Sequence, residues 1–265
     1  MSSEFAGKYG PWAVVAGGSD GIGAGFARGL AGRGLNLVLV ARRAAVLEAF
    51  ADEIRQAYPV EVRTVVADLS AAGAIAGLAA ETAGLEVGLF VANAGGDDPA
   101  LFLERDLDTH LALVQRNCTS VLEAAYRFGG PMVERGRGGL ILLSSRIAWA
   151  GAATVAAYGA TKAFDIILAE GLWAEWRGRG VDVLNLVVTA TDTPSLQRVL
   201  QAQGGSYGGL AAPDDVAATA LVHLGDGPTW MCAAEDPLGP APFGQLPRRE
   251  AVLQLSRRAM RDEGS

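Results

Sequence analysis

The stretch Trp12-Ala13-Val14-Val15-Ala16-Gly17-Gly18-Ser19-Asp20-Gly21-Ile22-Gly23 decides how this chain is read. Five apolar residues in a row suit a strand that is covered on both faces. The glycines that follow allow a tight turn and let backbone come close to a pyrophosphate. The helix that starts at Ile22 then turns its free amides toward negative charge. The spacing is Gly-x-x-x-Gly-x-Gly rather than Gly-x-Gly-x-x-Gly, so the turn alone is weak evidence. Its place directly after a first apolar strand makes it a candidate phosphate loop.

The same rhythm continues outward. Leu35 to Ala41, Val62 to Ala67, Val87 to Ala92, Leu140 to Leu143 and Val181 to Val188 read as further buried strands. Between them lie helical stretches at Ile22 to Arg33, Ala44 to Tyr58, Ala71 to Ala83, Leu107 to Phe128 and Ala157 to Arg177. Strand and helix in alternation predict an α/β doubly wound, Rossmann-like parallel sheet of six to seven strands with helices on both faces. Beyond the sixth strand, Pro194 to Ala212 is small and glycine-rich and is expected to be a mobile substrate lid with at most one short helix. Pro213-Asp214-Asp215 opens another helix, and Gly227 to Cys232 is a candidate seventh strand. Pro237 to Pro247 reads as a surface connection and Arg248 to Arg261 as an amphipathic helix within a tail from about 237 to 265. No composition shift marks a boundary, so residues 1–265 are expected to form a single domain.

Half of the 265 residues are apolar, enough to bury a core without disulfides or metals. A net charge of −7 argues against nucleic acid or an anionic membrane as partner. Cys118 and Cys232 stand far apart, outside any CxxC pattern, which suits a reducing compartment. Met1 to Pro11 has no apolar run and does not read as a signal peptide, so the expected location is cytoplasmic. His110 and His223 lack ligand neighbours, and no metal site is expected.

Further residues fall in order along the chain. Asn93-Ala94-Gly95 follows the fourth strand, Asn117 lies in the next helix, and Ser145 closes the fifth strand. Tyr158-Gly159-Ala160-Thr161-Lys162 begins thirteen residues after Ser145. Tyr158 and Lys162 are four apart on a helix and so share a face. A free tyrosine, with a pKa of about 10, is a poor base at neutral pH, and a nearby ammonium favours its phenolate. Tyr158 is then able to exchange a proton with a substrate oxygen. A lone Tyr-x-x-x-Lys is often an accident, and an isolated helix asparagine also caps or bridges backbone. The order of the set carries the reading.

This set resembles the short-chain dehydrogenase/reductase family of single-domain enzymes, over roughly the first three-quarters of the chain. The resemblance implies a nicotinamide cofactor held by Gly17, Ser19, Asp20, Gly21, Ile22, Gly23, Asn93, Ala94 and Gly95. It implies that Lys162 also holds the nicotinamide ribose, that Ser145 hydrogen-bonds the reacting oxygen, and that Asn117 supports a relay water. Ser144 is excluded by its spacing to Tyr158. The family places Asp68-Leu69 beside the adenine, although Asp68 also suits a helix N-cap. It usually carries Pro-Gly after the sixth strand. Here Val188-Thr189 stands there, followed by Thr191 and Thr193, with Thr193 available to the carboxamide.

Cofactor choice is read at the end of the second strand. An NAD enzyme of this fold puts an acid there, whereas Ala41-Arg42-Arg43 offers two guanidinium groups to a 2′-phosphate. NADP is expected over NAD, with the Asp20 carboxylate as counter-evidence and a solvated helix start as the plain alternative for Arg42 and Arg43. Trp149, Leu196, Val199, Leu200, Tyr207 and Leu210 suggest a small apolar ketone or alcohol substrate. Arg146, Asp97 and Asp98 are expected as solvated loop charges near the pocket mouth. Apolar residues on the outer faces of the long helices, Leu111, Leu122, Phe164, Ile167 and Trp173, suggest a homodimer or homotetramer. The expected function is an NADPH-dependent carbonyl reductase or alcohol dehydrogenase. The alternatives are an NADP-binding sensor of the same fold and an epimerase acting through a transient ketone.

Overall fold

The computed structural model of the chain describes residues 2–96, 99–203 and 208–232. Strands β1 (Trp12–Ala16), β2 (Asn36–Ala41), β3 (Val62–Val66), β4 (Val87–Ala92), β5 (Gly138–Ser145), β6 (Val181–Val188) and β7 (Thr229–Met231) form one sheet in the order β3-β2-β1-β4-β5-β6-β7. Every pairing is parallel. This is the doubly wound arrangement that the apolar runs imply, including the seventh strand. Chain order reverses between β1 and β4, and in such sheets that crevice is where ligands bind.

The sheet separates two apolar cores. On one face Phe26 and Leu30 of α2 (Gly21–Ala31), Leu47 and Ile54 of α3 (Ala44–Ala57) and Leu221 of α9 (Pro213–His223) pack against Val15, Leu37 and Leu184. On the other, Leu78 of α4 (Ala74–Glu81), Phe128 and Met132 of α6 (Ser120–Arg135) and Ala169 of α7 (Ala156–Trp176) cover Val14, Phe90 and Leu142. Fully burying a side chain such as Phe26 or Leu37 contributes roughly 1.5–3 kcal/mol.

Several elements differ from the sequence expectation, each for a physical reason. Helix α1 (Ser2–Tyr9) has no apolar run to announce it. It is held by Tyr9, which hydrogen-bonds Asp182 and is buried at the foot of the sheet. A Cβ at Gly88 would lie 2.5 Å from the Tyr9 carbonyl oxygen, so glycine there admits the helix. Strand β5 begins earlier than Leu140, at Gly138, and α4 begins only at Ala74, after a turn.

The expected helix from Leu107 to Phe128 is three pieces: α5 (Leu107–Val114), a π-turn (Gln115–Thr119) and α6. Helix α6 runs on to Arg135 through Gly129-Gly130-Pro131, because Pro131 faces solvent while Met132 beneath it is fully buried. The segment expected to be a lid with at most one short helix carries one helix of ten residues among its described part, α8 (Pro194–Gln203). Trp173, expected on an outer face, instead packs against the second core. The connection at Pro237 to Pro247, the helix at Arg248 to Arg261, and Asp97, Asp98 and Tyr207 lie outside the described residues. Among the described residues no helix is long and apolar enough to cross a membrane, and no metal-binding cluster occurs.

Candidate nucleotide-binding and active site

The turn after β1 is locked from two sides. The Gly17 and Gly18 amides donate to the Val40 carbonyl of β2 at 2.8 and 3.1 Å. The Asn93 amide at the end of β4 donates to the carbonyls of Ala16 and Gly17 at 3.2 and 2.9 Å. Asn93 therefore shapes the turn from across the β1–β4 crevice. Gly17 has φ +74°, which L side chains rarely adopt. At Gly23 a Cβ would lie 1.9 Å from the Gly17 carbonyl oxygen, so only glycine lets α2 start this close to the strand end. The result is a cradle of backbone at a helix N-terminus, a site suited to a pyrophosphate. Ser19 and Asp20 sit half-buried on its rim, and Ile22 packs into the first core.

At the end of β2, Arg43 forms an ion pair with Asp20, which is 23 residues earlier in the chain. Arg43 is also the N-cap residue of α3. The carboxylate of the glycine-rich turn and the guanidinium that follows β2 are thus engaged with each other, and Arg42 is exposed. Asp68 accepts from the Ser70 amide at 3.0 Å and the Ser70 hydroxyl at 2.6 Å. These bonds hold its carboxyl below the usual carboxylate range. It does not cap α4, whose N-cap is Gly73. Its neighbour Leu69 lines an apolar pocket with Ala16, Ile75, Phe90, Ala92 and Ala94, bordered by Arg116 and Ser120.

The residues expected to carry the chemistry lie at or beyond the C-terminal ends of β4 and β5. Lys162 on α7 is buried, and its Nζ donates to the Leu143 carbonyl of β5 at 2.7 Å and to Asp165 Oδ2 at 2.9 Å. The same atom lies 5.9 Å from the centroid of the Tyr158 ring. A Cβ at Gly95 would come within 3.3 Å of this Nζ and 3.6 Å of Asn117 Oδ1, so Gly95, Lys162 and Asn117 meet at one point. Burial works against the Lys162 ammonium, but Asp165, with Tyr158 and Cys118, outweighs it and holds the pKa above the ordinary lysine value. Burial pushes the Asp165 carboxyl up, against the pull of Lys162.

Asn117 sits in the π-turn, fully buried. Its amide donates to the Thr161 hydroxyl at 3.0 Å, and its oxygen accepts from Arg116 at 3.2 Å. Such turns inside helices are frequent at functional sites. Tyr158 and Ser145 are both half-buried, Tyr158 in the first turn of α7 and Ser145 as the last residue of β5. Asp165, Thr161 and Arg116 were not singled out from the sequence. Asp165 carries a signal, since it lies three residues after Lys162 and so on the same side of the helix.

Past β6 the chain takes a local course where the family usually has Pro-Gly. The Thr191 hydroxyl donates to the Thr189 carbonyl at 2.9 Å, and Thr191 bridges to Ala211. Val188 packs at the edge of the first core. The Thr193 hydroxyl accepts from the Leu196 amide at 3.2 Å and so caps α8. Its methyl approaches Gly21 of the phosphate loop, where a Cβ would lie 3.0 Å away.

Three further segments carry exposed or half-buried apolar side chains. The loop after Gly95 exposes Leu101, Phe102 and Leu103. The Ala100 amide donates to the Thr154 carbonyl at 2.9 Å, joining this loop to the 146–155 segment that carries the half-buried Trp149. Helix α8 brings the half-buried Leu196, Val199 and Leu200.

Known proteins share this architecture. A very-long-chain 3-oxoacyl-CoA reductase-like protein of Arabidopsis thaliana is 31% identical over 84% of this chain and 74% of its own. A 7beta-hydroxysteroid dehydrogenase of Collinsella aerofaciens is 33% identical over 71% of this chain and 72% of its own. The solved structure of a short-chain dehydrogenase from Sphingobium yanoikuyae in complex with NADPH superimposes with a TM-score of 0.78 at 26% identity, covering 96% of each chain. The family model described as short chain dehydrogenase matches residues 11–204. That span runs from β1 through α8, so the chain belongs to the short-chain dehydrogenase/reductase family and is an NAD(P)-dependent oxidoreductase.

Proposed function

We propose that the enzyme interconverts an apolar ketone and a secondary alcohol, with NADPH as its redox partner and Tyr158 as general acid and base. The observation that carries this reading is the buried Lys162 ammonium beside the Tyr158 ring. Bound nicotinamide supplies the hydride chemistry. In the reducing direction the Tyr158 hydroxyl gives its proton to the substrate oxygen, while the Ser145 hydroxyl donates a hydrogen bond to that oxygen and orients it. Lys162 stabilises the phenolate left behind, and in the oxidising direction that phenolate takes the proton back. Asn117, tied to Thr161, steadies the turn of α7 from which Lys162 projects.

The substrate class rests on the exposed Leu101, Phe102 and Leu103, on the half-buried Trp149, Leu196 and Leu200, and on relatives named for very-long-chain acyl and steroid substrates. The preference for NADP rests on Arg42, and on Arg43 neutralising Asp20. The exposed Leu111, Leu122 and Ile167 support a homodimer or homotetramer, and the two free thiols support a cytoplasmic location.

A panel of cyclic, aryl and long-chain ketones, followed by NADPH absorbance, tests the reading. At least one should turn over, and Tyr158→Phe should lower that rate by about 10²–10⁴ while leaving cofactor affinity nearly unchanged. Near-normal turnover by Tyr158→Phe would refute the mechanism. No turnover of any ketone or alcohol would refute the activity.

A further inference from the structure

Asp165 is a buried acid with no role in the proton transfer described above. Its side chain is 2% exposed and that of Lys162 is 7% exposed, so their ion pair lies out of reach of bulk water. An ammonium has three protons. Leu143 takes one and Asp165 another, which leaves one for the cofactor or Tyr158. The second carboxylate oxygen of Asp165, Oδ1, is buried with no hydrogen-bond partner among the described residues. So are the Ser144 hydroxyl and both polar side-chain atoms of Asn185. In the pairing of β5 with β6, Asn185 stands opposite Leu142, and Ser144 stands opposite Val187. Ser144 and Asn185 therefore project from the same sheet face as Leu142 and Val183, which is the face that Ala169 of α7 covers. Asp165 is about one turn from Ala169 on that helix. The unpartnered polar groups that the sheet carries on this face are neutral. The other ionisable groups that act on the pair are Tyr158 on α7 and Cys118 on the π-turn.

We propose that Asp165 is a positioning residue that sets the charge of the proton-transfer unit: as a fixed anion behind Lys162, it makes phenol, ammonium and carboxylate neutral together and favours the form that gives a proton to a carbonyl. The inference rests on the catalytic reading of Tyr158 and Lys162. With Asp165 present, loss of one proton takes the unit from neutral to −1 in a buried place. Without it, the same loss takes the unit from +1 to neutral, which burial favours. The apparent pKa belongs to the unit as a whole, so the direction holds whichever group releases the proton.

The test is the pH dependence of kcat in both directions at saturating cofactor, with the ketone that turns over fastest in the panel and its alcohol. In Asp165→Asn both the falling limb of reduction and the rising limb of oxidation should move to lower pH by about one unit or more. Well below the limb, oxidation should then be faster relative to reduction than in the parent by about 10-fold or more. Asp165→Glu, which keeps the charge, should return both limbs close to the parent position. Limbs that stay in place in Asp165→Asn, or move to higher pH, would overturn the proposal.

Should Asp165→Asn fail to fold, infrared spectra of Lys162→Met decide the matter. A carboxylate coupled to Lys162 becomes a protonated acid at neutral pH once the lysine is gone. The parent and Lys162→Met/Asp165→Leu should lack that carbonyl band, and its absence from Lys162→Met would overturn the proposal. The two readings fail separately. Full activity in Tyr158→Phe removes the catalytic assignment itself. Inactivity there, combined with unmoved limbs in Asp165→Asn, removes the role of Asp165 alone.

Discussion

The cofactor cleft holds two ion pairs that differ chiefly in their exposure to water. Asp20 and Arg43 meet at the rim with side chains 43% and 61% exposed. Lys162 and Asp165 meet at the floor with side chains 7% and 2% exposed. At the rim, water and salt screen each charge, so the pair stabilises little, and its effect is to cancel two fields that a phosphate would feel. At the floor, each charge depends on the other, because neither has solvent to turn to. The same chemistry acts as a trim at the surface and as a fixed charge within.

Breaking the floor pair should have the largest effect. Lys162→Ala removes the cation facing Asp165, so the carboxyl must take up a proton far from its ordinary range, and the change is expected to cost about 3–5 kcal/mol in urea unfolding. It should also lower turnover and weaken cofactor binding together, because one side chain serves both. A loss of activity with unchanged stability would show that the pair is not a closed unit.

Next in size is the choice of cofactor. One charged hydrogen bond from Arg42 contributes about 1.5–3 kcal/mol, which corresponds to a preference for NADP of about 10- to 100-fold in Kd. Placing Asp at position 41 together with Arg42→Ala should invert the preference. Equal or tighter binding of NAD by the parent would contradict it.

Breaking the rim pair should do less. Asp20→Asn is expected to change stability by less than about 1 kcal/mol. It releases Arg43 and should tighten NADP by no more than about 5-fold, an effect that shrinks as salt is raised toward 1 M. A larger stability loss would mean that the rim pair resembles the floor pair after all.

The smallest effect lies beside the floor pair. Burial, aided by Asp165 and opposed by Lys162, pushes the Cys118 thiol up to about 11. A pKa raised by folding contributes stability that is fully present below the ordinary thiol value and is lost as pH rises through about 11. The melting temperature of Cys118→Ala, compared with the parent between pH 8 and about 11, should show this as a difference of a few degrees at most.

What was legible in the sequence follows the same division between local and distant causes. The strands could be read because buried parallel strands are continuous apolar runs, and the phosphate turn because its glycines are adjacent. The order of Asn93, Asn117, Ser145, Tyr158 and Lys162 could be read because each sits at the end or on the face of an element that the pattern reveals. Helix α1 was not legible, because Tyr9 is buried by residues far along the chain, Gly88 and Asp182 among them. The expected helix stopped at Phe128, because Gly129-Gly130-Pro131 reads as a break wherever the burial of Met132 is unseen. The Asp20–Arg43 pair spans two loops, and no local pattern joins them. Asp165 looks like any acid on a helix until α7 is seen to lay that face on the sheet.

The π-turn at Gln115–Thr119 carries a consequence for length variation along this chain. Such a turn is an α-helix with one residue too many, and each residue of a helix spans about 100° of rotation. Loss of a single codon there would heal α5 and α6 into one regular rod and swing Asn117 away from Thr161 relative to everything downstream. Of the ways to remove one residue from this protein, that one should leave a well-folded and regular helix and an enzyme without its working geometry.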